Sequence, residues 1–226
     1  TAPEKLRRLD ALEALLDAPD GPLRDVGTAE ARAMLGAFRQ DATQRRYADW
    51  AELEDYCTRS ADPVGRMLLR VHGEDAAAYP ASDALCTALQ ILNHLQDLGP
   101  DRDAMDRVYL PLPWMELAGG EGAFFAPGNP HRRAVLDAAL DRVEAVLEVA
   151  APLPRLLRSG LRRQAAVTLD LAWRLLARLR AADPVQGRVA LTKLDVASAF
   201  AALARPVPSD AAVVRARVAR ARSSFA

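Results

Sequence analysis

Apolar residues recur at helical spacing along nearly the whole chain, and nowhere does a run of Val, Ile, Thr and aromatic residues alternate with polar ones between turn signals. That pattern commits the chain to an all-α fold, because a stripe with a period near 3.6 cannot keep its apolar side chains on one face of a strand. Leu6, Leu9, Leu12, Leu15 and Leu16 mark a first helix, which Pro19, Gly21 and Pro22 should stop. Thr28 is placed to cap a second helix running to about Tyr47, with Ala31, Met34, Leu35 and Phe38 on its buried side. Asp49 caps a third, from Trp50 to about His72. Its stripe is Leu53, Tyr56, Cys57, Val64, Met67, Leu68 and Val71, and its interior Pro63 predicts a kink. Ser82 or Asp83 should open the helix of Leu85, Leu89, Leu92 and Leu95, and Gly99-Pro100 should close it. A loop rich in Pro and Gly is expected over about residues 118–130, with Phe124 and Phe125 in it. Helices follow over roughly 130–150, 153–182 and 187–204, and then a basic segment from Ser209 to Ala226.

At 226 residues, half of them apolar, the chain can bury a core in a single domain. Thirty basic and thirty acidic residues cancel, so charge draws the protein neither to nucleic acid nor to an anionic membrane, and a small-molecule partner is the expectation. Arg155, Arg158, Arg162, Arg163, Arg174, Arg178 and Arg180 read as a solvated face, since no aromatic residues interleave with them to stack on bases. Cys57 and Cys86 have neither metal-ligand spacing nor the density of a secreted scaffold, which predicts buried thiols in a reducing cytoplasm. Arg, Asp or Glu interrupts every hydrophobic stretch, so no bilayer-spanning run is expected. His72, His94 and His131 are too scattered for a zinc site, and Gly119-Gly120-Glu121-Gly122 lacks the flanking strand and Lys of a phosphate loop.

The chemistry concentrates in the middle of the chain. Gln90, Asn93, Asp97 and Asp101 follow one another at intervals of three, four and four, which puts them on one narrow helix face beside Leu89, Leu92 and Leu95. Burying carboxylates costs several kcal/mol unless they are paired or coordinate a metal, and oxygen ligands of this kind suit Mg²⁺ bridged to phosphate oxygens. Spacing alone equally allows Asn93 and Asp97 to face solvent, or to cap the helix end against Arg102 and Arg107.

The wider strings are more specific. Leu89-Gln90-Ile91-Leu92-Asn93-His94-Leu95-Gln96-Asp97, followed by Asp106-Arg107-Val108-Tyr109-Leu110-Pro111, resembles the second metal and diphosphate-binding motif of the squalene and phytoene synthase family. The run Asp55 to Arg66 is similar to that family's Y-C-x-x-x-A-x-x-V-G helix. Phe38-Arg39-Gln40-Asp41 and Arg45 through Trp50 bring the likeness closest to the bacterial hydroxysqualene branch of hopanoid biosynthesis.

The resemblance implies a single-domain isoprenoid-synthase-type helical bundle around a central cavity, covering residues 1–204. It implies Mg²⁺ held by Asn93, Asp97 and Asp101, catalytic roles for Asp97, Arg107 and Tyr109, and substrate contacts from Gln90, Asn93, Val64, Gly65, Asp41 and Tyr47. The reaction it implies converts presqualene diphosphate to hydroxysqualene, without a nicotinamide cofactor; joining two farnesyl diphosphates, or a non-catalytic helical partner role, are the alternatives. It leaves room for weak association with a membrane surface, peripheral to an inner membrane, and for a partner synthase of the same pathway.

Three features depart from the family pattern. No D-D-x-x-D sequence lies between Thr1 and Phe38, so the N-terminal helices and half of the metal site are expected outside this chain. Pro100 biases its neighbour away from helical geometry, which would take Asp101 off the stripe and leave Asp103 as its substitute. Arg59 stands where many squalene synthases carry a Tyr. Finally, Arg215 to Ala226 within the terminal 205–226 segment is similar to the family's opening segment, as in a second family-like unit, with an ordinary basic terminal helix as the alternative.

Overall fold

The computed structural model describes residues 1–17, 28–158 and 160–202, and the expectations for Pro19 to Pro22 and for 205–226 lie outside them. Among the described residues the chain forms twelve α-helices and no strand: α1 Ala2–Asp17, α2 Thr28–Thr43, α3 Trp50–Ser60, α4 Asp62–Val71, α5 Tyr79–Gln96, α6 Leu98–Met105, α7 Leu112–Glu116, α8 Glu121–Phe125, α9 Arg132–Ala150, α10 Leu153–Leu156, α11 Leu161–Ala181 and α12 Lys193–Ala202. No helix among them is long and apolar enough to cross a membrane.

Helix α5 is the hub, packed against α3, α4, α9 and α11. It presents Leu85, Ala88, Ile91, Leu92 and Leu95, all buried, to Val135, Leu136, Ala139 and Leu140 of α9 and to Leu169, Trp173 and Leu176 of α11 in one apolar core. Each buried Leu, Ile or Val among them contributes about 1.5–3 kcal/mol, so the core fixes α5. Gln90 and Asn93 ride on this fixed helix, and Asp97 follows its last residue.

Several boundaries differ from those the sequence suggests. Helix α2 ends at Thr43 rather than Tyr47, because residues beyond it turn extended: Val108 donates to the Arg45 carbonyl (3.0 Å) and Leu112 to that of Tyr47 (3.0 Å), a one-rung parallel bridge between Tyr47 and Pro111. Its core face is Leu35, Ala37 and Ala42, and Phe38 is exposed. The expected kink at Pro63 is a full break. Helix α3, whose Asp49 cap accepts from the Glu52 amide at 2.8 Å, ends at Ser60, and α4 starts anew with Pro63 in its first turn, where a missing N–H costs nothing. The break rotates the stripe: Leu69 is buried, while Val64, Leu68 and Val71 face outward.

Ser82 and Asp83 do not cap α5. Asp75 caps a 3₁₀ turn over Ala76–Ala78 that leads directly into it, and Ser82 is buried where α4 crosses. A Cβ on Gly65 would lie 2.6 Å from Cys86 Sγ and 2.7 Å from Ser82 Oγ, so this crossing requires glycine. The 118–130 loop contains α8, with Phe124 in the core. The long helix expected over 153–182 is split, with Leu157 extended between α10 and α11. Helix α12 opens at Lys193 because Thr192 and Asp195 cap it reciprocally: the Thr192 amide donates to Asp195 (2.7 Å) and the Asp195 amide to Thr192 Oγ1 (3.2 Å).

Candidate active site

The acidic stripe survives the end of α5. The Asp97 amide donates to the Asn93 carbonyl (3.0 Å) and the Asp101 amide to that of Asp97 (2.7 Å), so the one-turn register runs through the α5–α6 junction. Pro100 does not displace Asp101, because it sits in the first turn of α6, where no intrahelical donor is required. Asp103 is exposed and pairs with Arg102 at 3.5 Å, away from the stripe. Asn93 is exposed, and Gln90, Asp97 and Asp101 are half-buried. Burial raises the Asp101 carboxyl above its ordinary range, the charge of Asp97 raises it further, and Arg107 opposes both. Two carboxylates held together in this way create a demand for a cation.

Beside them lies a cluster built from three separate strings. Residues 108–112 are tied to 45–47 by the bridge above, and Arg46 adds to this junction through the Asp106 carbonyl (2.5 Å), the Asp106 carboxylate (2.7 Å) and Glu121 of α8 (2.6 Å). Asp106 is itself in the left-handed region, φ 52°, as the turn that ends α6. This turn sends Arg107 and Tyr109 inward. The Arg107 guanidinium reaches Asp41 Oδ1 at 3.0 Å and donates to the Asp41 carbonyl (2.5 Å) and the Tyr109 hydroxyl (3.3 Å). Burial alone would lower its pKa; the Tyr109 hydrogen bond and the Asp41 charge outweigh that and raise it. The buried Nε–H of Arg107 has no partner among the described residues. Tyr56 donates to both Asp41 oxygens at 3.2 Å.

The walls are aromatic. Tyr47 stacks on Tyr109 with centroids 5.8 Å apart, and His94 stacks on its ring at 3.4 Å. Burial, followed by the charge of Arg107, lowers the His94 pKa to about 3, so the ring is neutral near pH 7, and its Nε2 has no partner among the described residues. Burial first, then neighbouring negative charge, raises the Tyr47 and Tyr56 hydroxyls, which stay protonated.

The sequence-predicted residues therefore divide. Asp41, Tyr47, Arg107 and Tyr109 form one bonded and stacked group, and Asp101 senses Arg107 across to the Gln90, Asn93, Asp97 stripe. Val64 and Gly65 stand apart on α4, which meets α5 at Ser82 and Cys86, seven residues or about 10 Å before Asn93. Helical spacing did not reveal Tyr56 or His94 as parts of the cluster, although both lie within the quoted strings. It could not reveal Arg188, whose Nε lies 3.3 Å from Asp97 Oδ1 across more than ninety residues of sequence. Of the arginines expected to be solvated, Arg174 and Arg178 pair with Asp195, and Arg180 with Asp141 and Glu144.

The donor set is all oxygen. Among the described residues no group of three or more His, Cys, Asp or Glu side chains could hold a metal, which leaves Asp97 and Asp101 as two neighbouring carboxylates that would form at most half of a metal site. Such a half-site fits Mg²⁺, which binds through one or two carboxylates and takes its other ligands from water and phosphate.

Comparison with known proteins agrees with the motifs. The model of the squalene/phytoene synthase family matches residues 4–195. Hydroxysqualene synthase of Sinorhizobium fredii is 37% identical over 174 residues, covering 72% of this chain and 57% of that protein. Hydroxysqualene synthase of Zymomonas mobilis is 48% identical over 110 residues, 47% of this chain and 37% of that one. The crystal structure of squalene synthase HpnC from Alicyclobacillus acidocaldarius superposes with a TM-score of 0.63 at 29% identity, covering 79% of this chain and 70% of that chain. The chain thus spans little more than half the length of the first of these curated relatives.

Proposed function

The chain belongs to the squalene/phytoene synthase family, and on that premise we propose that it supplies the second diphosphate-binding half of a Mg²⁺-dependent enzyme converting presqualene diphosphate to hydroxysqualene. The observation that carries this reading is the juxtaposition of the Asp97–Asp101 pair with Arg107, whose amide donates to the Asp101 carbonyl (3.3 Å) and whose Nε–H has no partner among the described residues. Asp97 and Asp101, with the Asn93 amide on the same face, would hold the cation. When bound, Mg²⁺ supplies a Lewis acid that neutralises charge growing on the departing diphosphate.

The protein's own groups do the rest. Arg107 is held by Asp41 and Tyr109 before any substrate arrives, so its free donor is preorganised for a diphosphate oxygen and little reorganisation opposes ionisation. Tyr109, fixed between Tyr47 and His94, orients its hydroxyl toward the same oxygens. Gln90 continues the polar face one turn along. Departure of the diphosphate would leave a carbocation, and the exposed apolar side chains of Val64, Leu68 and Val71 on α4 and Phe38 on α2 would offer a hydrocarbon-binding wall that keeps water from that carbocation until rearrangement is complete.

Incubation with presqualene diphosphate and Mg²⁺, followed by lipid extraction, tests this directly. Hydroxysqualene as product, lost in Asp97→Ala with helicity retained, is the expected result. Diphosphate release undiminished in Asp97→Ala would overturn the assignment.

A further inference from the structure

Asp97 does not wait bare for its cation. Its Oδ1 is met by the Arg188 Nε at 3.3 Å, and Arg188 is delivered by a segment anchored to the same helix end. Gln96, the residue next to Asp97, donates its side-chain amide to the Val189 carbonyl at 2.6 Å. A Cβ on Gly99 would rest 3.6 Å from the Val185 carbonyl oxygen, so the segment lies close against the start of α6. Upstream, Asp183 folds the segment's turn through the Val185 amide (2.9 Å) and Gln186 (3.1 Å), and Asp183 is itself held by the buried Arg132. The backbone on either side of Arg188 is thus fixed while the Arg188 side chain remains 67% exposed and free to leave.

We propose that Arg188 is a built-in counter-ion of the metal site: its guanidinium neutralises Asp97 in the metal-free protein, and a divalent cation must displace it. The inference rests on the reading of Asp97 as a metal ligand. A guanidinium and a divalent cation compete for the same carboxylate oxygen, since Arg presents only donors and cannot share Oδ1 with a metal without electrostatic penalty. The Arg188 side of the pair is largely exposed and water screens it, so the competition is modest, and removing it tightens cation binding by about two- to fivefold rather than by orders of magnitude. Displacement leaves a flexible cation beside the site at the moment the diphosphate arrives, where a planar fork suits phosphate oxygens.

The test is Mn²⁺ binding to the intact chain, measured by EPR titration of free Mn²⁺ without substrate. Arg188→Gln is expected to tighten binding about two- to fivefold, and Arg188→Lys, which keeps the charge, to change it less. Arg102→Gln removes one positive charge from α6 without touching Asp97 and should leave the affinity at the wild-type value. Unchanged or weaker binding in Arg188→Gln, or equal tightening in Arg102→Gln, overturns the counter-ion role. Asp97→Asn separates the two readings: if it binds Mn²⁺ as well as wild type, the metal assignment itself has failed.

Discussion

Asp41 is the residue on which the site's order depends. Its carboxylate takes Arg107 and the Tyr56 hydroxyl together, so Tyr56→Phe removes a hydrogen bond to a charged acceptor and should cost about 1–2 kcal/mol in urea unfolding, with a measurable fall in turnover as Arg107 loosens. Asp62 illustrates a different residue-scale effect. It is 5% exposed, accepts from Thr87 Oγ1 at 2.8 Å, and burial pushes its carboxyl up to about 7, with Asp83 adding to the shift and Arg66 opposing it. Its folded pKa lies above the unfolded one, so the native state holds the proton more tightly and stability falls as pH rises from about 4 to 7. Asp62→Asn abolishes that loss. The difference in melting temperature, mutant minus wild type, should therefore grow from pH 4 to 7 and then level off; a difference that is flat across this range would refute the buried-acid reading.

At the scale of elements, the α4–α5 crossing and the α3 cap are the two joints most open to test. Gly65→Ala places a methyl within 2.6–2.7 Å of Cys86 Sγ and Ser82 Oγ and should destabilise by about 1–3 kcal/mol, part of which Cys86→Ala should restore by making room. Asp49→Ala removes the side-chain acceptor for the Glu52 amide and should cost about 1 kcal/mol by thermal or urea unfolding. Helix positions and the Asp49 cap could be read from periodicity and capping chemistry, because both are local. The break at Ala61 could not, since a proline in a helical pattern is compatible with either a kink or a restart, and only the turn of α4 onto α5 selects the restart. The exposure of Phe38 was hidden for the same reason: a helix with apolar residues on more than one face does not declare which face the core will take.

At the scale of the molecule, Arg132 joins regions far apart in sequence. It is 2% exposed, donates to the Phe124 carbonyl at 2.6 Å and to the Ala126 carbonyl, and pairs with Asp183 at 2.5 Å, linking α8, α9 and the segment after α11 that carries Arg188. Arg132→Met removes the guanidinium from Asp183, which keeps only its Val185 and Gln186 donors, and from two carbonyls, and should lower stability by about 3–5 kcal/mol in chemical denaturation. It should also release the 183–189 turn, so Mn²⁺ binding in the surviving folded fraction should resemble that of Arg188→Gln.

What the sequence determined by itself was whatever depends on near neighbours: the all-α class, the register of Gln90, Asn93, Asp97 and Asp101, and the strings that mark the family. The one-turn spacing of these residues follows from backbone hydrogen bonds of four-residue reach, which is why a sequence pattern captures it. The tertiary structure alone decided which groups meet them. Asp41 reaches Arg107 across 66 residues, Tyr47 meets Tyr109 through a single backbone bridge, and Arg188 finds Asp97 because a distant turn is anchored beside it. Such meetings are set by the packing of whole helices on α5, where many small apolar contacts act together, and no short window of sequence contains them.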